Sequence, residues 1–143
     1  MHAMRPAPDA AIVDMRVGGG PVIDRPGAAY RLLAPGLVWL RHERLAVLHL
    51  TRDRRLIAQQ LFEGRAADID LPARTILARA LDVGAAGIVL AHNHPGGDPM
   101  PSPGDIAATR RLVALLGPVG VLMHDHLVIA RADWTSFYLL GLL

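Results

Sequence analysis

The run GAAGIVLAHNHPGGDP, residues 84–99, constrains this chain more than any other stretch. From Ala85 to Ala91 it is uninterruptedly nonpolar and includes the β-branched pair Ile88-Val89, with Gly84 before it and a Pro/Gly loop after it. An apolar run this short, bounded by turn residues, reads as a strand buried on both faces. Such a strand needs a layer packed above it and another below. It also ends abruptly in two histidines, His92 and His94, and that choice of residue calls for a chemical reason.

The rest of the chain supplies the layers. Asp24 followed by Pro26 reads as an N-cap and first turn, opening a helix to about Leu33 that Pro35-Gly36 stops. RLAVLHL (44–50) and RLIAQQLF (55–62) flank TRDR as a β-hairpin, and GRAADIDL continues extended. Pro72 opens a helix with Ile76, Leu77, Ala80 and Leu81 on one face, and Gly84 ends it. Ser102 and Asp105 read as a capping box for a helix whose apolar face is Ile106, Leu112, Val113 and Leu116. VGVLM and HLVIA read as two short strands around His124-Asp125-His126, and DWTSFYLLGLL as a helix-like tail. Strands and helices alternate, so the expected class is α/β. Residues 1–23, rich in Pro, Gly and Ala, read as a flexible arm, and residues 24–143 as one domain.

Composition narrows the chemistry. With no cysteine, disulfides and thiolate metal sites are excluded, and any metal must be held by imidazole and carboxylate. No apolar run is long enough to span a bilayer, and MHAMRPAPDA lacks the apolar stretch of a signal peptide. The expectation is a cytoplasmic protein with no membrane contact. All 15 basic residues are arginine, yet the net charge is only +2, weak support for nucleic-acid binding.

On a strand, residues i and i+2 share a face and lie roughly 6.6 Å apart. His92 and His94 can therefore aim both imidazoles at one point, which suits Zn²⁺ with Zn–N near ~2.0 Å. Asp105, at the N3 position of the next helix, can turn its carboxylate back toward the loop as a third ligand. Three protein ligands with one open position describe a catalytic zinc site. An HxH alone more often marks two unrelated loop-edge histidines, and S-x-x-D alone an ordinary cap. Together, joined by a Pro/Gly loop that lets the chain double back, they are far more specific.

The order His92, His94, Ser102, Asp105 resembles the JAMM motif, H-x-H-x₇-S-x-x-D, of the JAB/MPN metalloprotease superfamily. Within it the chain is most similar to RadC-like proteins, through RHERLAVLHLTRDRRLI, LFEGR, RALDVGAAGIVLAHNHPGGDP, DIAATRRL, HDHLVIA and SFYLLG, over about residues 37–143. The resemblance implies an MPN-type α/β domain, a curved mixed sheet flanked by helices with a cytidine deaminase-like layout. It implies His92, His94 and Asp105 as ligands of one zinc ion, Ser102 as a donor to the developing oxyanion, and Glu43 as general base. The residues support Glu43 separately. Of only two glutamates, Glu63 sits beside Gly64 at a turn, while Glu43 opens an apolar strand where an unpaired carboxylate is costly. The bland alternative pairs Glu43 with Arg41 or Arg44. Asp125 and His126 match the family's D-H segment, with Asp125 placed to orient a ligand histidine or to satisfy local backbone. His124 reads as plain surface.

The chain departs from the family at Gly96, where a serine is usual, at Arg65, and at Ala73 and Thr75. It also has no room for the usual N-terminal helix-hairpin-helix region. The expected activity is zinc-dependent cleavage of a peptide or isopeptide substrate. The alternatives are a DNA-repair accessory and a non-catalytic metal scaffold. The tail FYLLGLL packs inside or forms a homodimer contact.

Overall fold

The computed structural model describes residues 5–6, 13–14, 20–64 and 72–143. Its elements are β1 (Arg5–Pro6), β2 (Val13–Asp14), α1 (Pro26–Leu37), β3 (Arg44–Leu50), β4 (Leu56–Glu63), α2 (Ala73–Val83), β5 (Gly87–Asn93), α3 (Pro103–Leu116), β6 (Leu122–Ile129) and β7 (Trp134–Ser136). They form an α/β domain around one mixed sheet, ordered β1-β4-β3-β5-β6-β7, with β2 also on β4. Strand β3 runs antiparallel to β4 and β5, whereas β5 and β6 are parallel. A parallel pair needs a crossover, and α3 provides it. The short strands β1 and β2 fall within the expected arm; most of that arm, and all but the start of GRAADIDL, lies outside the described residues.

Every residue of β5 is buried, as its apolar run requires. Alternation divides its side chains between two cores. Ile88 and Leu90 pack with Leu45, Val47, Ile76, Ala80, Leu112 and Leu116, under α2 and α3. Val89 and Ala91 pack with Ala29, Leu33, Leu37, Leu48 and Leu127, under α1. The same alternation puts His92 on the α2/α3 side and Asn93 on the α1 side.

Several expectations are corrected. Helix α1 runs through Pro35 to Leu37, and Arg25 occupies the N-cap without a side-chain bond. A proline inside a helix costs about 3 kcal/mol. Here it stands in the last turn, where it removes one bond, and continuing buries Leu37 against the sheet. Leu81 and Val113 face solvent, because burial on α2 and α3 follows narrower stripes than the apolar spacing suggests. His124-Asp125-His126 does not separate two strands. It lies within β6, and the register against β5 shifts at His124. The His124 ring lies over Gly87, where an added Cβ would stand 2.2 Å from its Nε2. Burial, and then Arg54, lowers the His124 pKa, so it is not plain surface. The tail forms β7 and turns rather than a helix, because Asp125 captures it: Oδ2 accepts from Ser136 Oγ and Oδ1 from the Tyr138 amide.

Candidate metal centre

The site forms where β5 ends beside the N-terminus of α3. His92 points toward α3 and is fully buried. His94 follows the strand, its amide donating to the Ile129 carbonyl. Its Nδ1 lies 2.7 Å from the Asp98 carbonyl. A carbonyl can only accept, so Nδ1 carries the proton, and in the neutral ring Nε2 is a bare lone pair. The loop that places Asp98 is pinned by Thr135 Oγ1, which donates to the Pro99 carbonyl.

The capping box does more than start a helix. Asp105 Oδ2 accepts from the Ser102 amide at 2.9 Å, and Ser102 Oγ accepts from the Asp105 amide at 3.0 Å. That reciprocal cap holds the carboxylate toward the imidazoles. Oδ2 stands 3.2 Å from His94 Nε2 and 3.3 Å from His92 Nε2, and the two nitrogens are 3.0 Å apart. Burial alone would raise the Asp105 pKa, but the bonds that His92 and His94 donate when their rings are protonated, with the charge of His92, hold it well below the usual carboxylate range. The Asp105 bond in turn raises the His94 pKa, against the effect of burial.

Glu43 immediately precedes β3 and lines the cleft. Its Oε1 is 3.8 Å from His94 Nε2. The alternative pairing with Arg44 fails because Glu63 takes Arg44 at 2.6 Å and His42 at 2.6 Å. Glu43, His92 and His94 each offer a ligand atom within 4.8 Å of the others. Asp105 lies closer to both imidazoles than Glu43 does to His94.

The donor set fits a divalent metal. Nitrogens ~2.0 Å from one tetrahedral zinc lie roughly 3.3 Å apart, close to the three separations seen. Among the described residues Asp105 Oδ1 is buried with no hydrogen-bond partner, a cost that a cation coordinated by this carboxylate would offset. Beside the cluster opens a cleft of about 520 Å³ lined by Arg41, His42, Glu43, His94, Asp98 and Ser102. The Ser102 hydroxyl receives the cap bond on a lone pair, so its proton takes no part in that bond.

Asp125 does not reach a ligand histidine. Its oxygens bind the tail and the His126 amide. His126 does reach one: its Nε2 is 2.7 Å from His92 Nδ1. It is wholly buried, with its pKa pushed well down by that burial. Two contributors were missed from sequence. Asn93 bridges the residues flanking Glu43, accepting from the Arg44 amide at 2.7 Å and donating to the His42 carbonyl at 2.8 Å. A buried amide between His92 and His94, at the end of an otherwise apolar strand, was the available signal. Thr109 lies one turn after Asp105, the one hydroxyl on the buried face of α3, and bonds His126.

Fold and site together define an α/β domain with a buried histidine–carboxylate cluster, able to hold a metal, at the foot of a cleft. The family model of the RadC-like JAB domain matches residues 23–142, and the chain belongs to that family. It is 44% identical to the UPF0758 protein of Alcanivorax borkumensis, over 80% of this chain and 51% of that protein. It is 41% identical to the one from Methylibium petroleiphilum, over 90% and 58%. The Vibrio cholerae UPF0758 protein is 36% identical over 87% and 79%. The chain thus spans about half the length of the first two. No helix among the described residues is long and apolar enough to cross a membrane.

Proposed function

We propose that the protein is a zinc-dependent hydrolase of peptide or isopeptide bonds. The observation that carries this reading is the convergence of His92 Nε2, His94 Nε2 and Asp105 Oδ2 within 3.3 Å, beside Glu43 and an open cleft. His92, His94 and Asp105 would hold the metal. When bound, zinc supplies Lewis acidity, polarising a carbonyl and lowering the pKa of a coordinated water to about 7.

The chain's own groups divide the remaining work. Glu43 takes a proton from the attacking water as its oxygen bonds to the carbonyl carbon. Glu43 then passes that proton to the nitrogen as the C–N bond breaks and the amine leaves. Ser102 donates its hydroxyl proton toward the carbonyl oxygen while negative charge grows there. Asn93 holds the backbone on both sides of Glu43, so the carboxylate enters the cleft from a fixed point. The net charge of only +2 gives the nucleic-acid alternative little support.

The test is cleavage of peptides and of lysine-ε-amide isopeptides by zinc-loaded protein. Glu43→Gln should lose about 10²–10⁴-fold in kcat/KM with zinc content unchanged. Full turnover in that variant removes Glu43 from the role. Zinc binding without cleavage of either substrate class would replace this reading with a non-catalytic metal scaffold.

A further inference from the structure

We infer that Thr109 is a positioning residue for the metal centre, acting through His126 to keep His92 Nε2 bare. The inference rests on the metal-site reading above. Its basis is a chain of short contacts whose proton directions are forced by counting donors.

Thr109 Oγ1 lies 2.7 Å from the Asp105 carbonyl. Two oxygens that close need a proton between them, and the carbonyl has none, so the hydroxyl donates. A hydroxyl has one proton. The second contact of Thr109 Oγ1, 2.7 Å from His126 Nδ1, must therefore be made by a proton on the imidazole. A neutral imidazole carries one N–H, which leaves His126 Nε2 as an acceptor. His92 Nδ1, 2.7 Å from it, must then donate. His92 Nε2 is left with its lone pair, and that atom faces His94 Nε2 and Asp105 Oδ2.

The chain starts at the backbone carbonyl of Asp105 and returns to its carboxylate. One residue thus anchors both the third ligand atom and the device that prepares the first. His126 is clamped in its role: its ring stacks on Phe137, with centroids 4.6 Å apart. Partners beyond the ligands commonly fix a ligand histidine through a carboxylate or a backbone carbonyl. Here a second histidine does so, and an uncharged hydroxyl sets its direction.

Thr109→Val keeps the shape and removes the acceptor. His126 then escapes an unsatisfied buried Nδ1–H by moving its proton to Nε2. His92 must accept at Nδ1 and carry its proton on Nε2, where it blocks the metal. The experiment is competition for Zn²⁺ against a chromophoric chelator, with ¹⁵N spectra of the imidazole nitrogens in metal-free protein. Thr109→Val should bind zinc about 10–100-fold more weakly, and Thr109→Ser should regain wild-type affinity. Wild-type spectra should show His92 protonated at Nδ1. Equal zinc affinity in Thr109→Val, or a wild-type His92 protonated at Nε2, overturns the inference. If wild-type protein binds no zinc, the hydrolase reading fails instead, and the spectra still decide the tautomer even should Thr109→Val not fold.

Discussion

Asp105 performs two tasks that can be separated. It completes the cap of α3, and it presents the carboxylate that faces both imidazoles. Asp105→Asn keeps an oxygen for the Ser102 amide but removes the charge from the metal position. Ser102→Ala does the reverse: it loses the bond to the Asp105 amide and leaves all three ligand atoms in place. Cap loss costs ~1 kcal/mol of stability. With free zinc at about 100 times the wild-type Kd, binding adds about 2.7 kcal/mol to the stability of the wild-type protein. If removing the carboxylate weakens binding about 100-fold, the same zinc adds only about 0.4 kcal/mol to Asp105→Asn. At roughly 3 °C per kcal/mol for a chain of this size, zinc should raise the wild-type Tm by about 8 °C and that of Asp105→Asn by about 1 °C. Ser102→Ala should start roughly 3 °C lower and keep the full zinc increment. Thermal unfolding with and without zinc, in a metal-buffered solution, reads all three. A full zinc increment in Asp105→Asn would refute the assignment and point to Glu43, His92 and His94 as the ligands.

Other consequences can be checked more briefly. Gly87→Ala must displace the His124 ring, at a cost of about 1 kcal/mol. Urea denaturation should show that cost vanishing in a His124→Ser background, and its persistence would mean the backbone itself is strained. His49 is buried against Gln60, 2.7 Å away, and burial lowers its pKa. Its folded pKa lies below the unfolded value, so the stability it contributes is complete above about pH 6.5 and is lost as pH falls toward the folded pKa. Below pH 6.5 that loss proceeds at up to ~1.4 kcal/mol per pH unit. His49→Leu combined with Gln60→Leu should flatten the decline in urea midpoint between pH 7 and pH 5. An equally steep decline in the double variant would assign it to His126 or other groups.

Much of this protein follows from the order of its residues. The buried strand β5, the hairpin of β3 and β4, the cap at Ser102 and Asp105, and the shared face of His92 and His94 all depend on contacts within a few residues. Local spacing settles such contacts. What tertiary structure alone decided was partnership. Glu63 rather than Glu43 took Arg44, and Asp125 turned to the tail rather than to a ligand histidine. Leu37 found a core that carried α1 through Pro35, and Thr109 met His126 across 17 positions. Each of these groups had several possible partners along the chain. Which one it met depended on how three layers stacked, because a buried polar group bonds whatever the packing brings within about 3 Å.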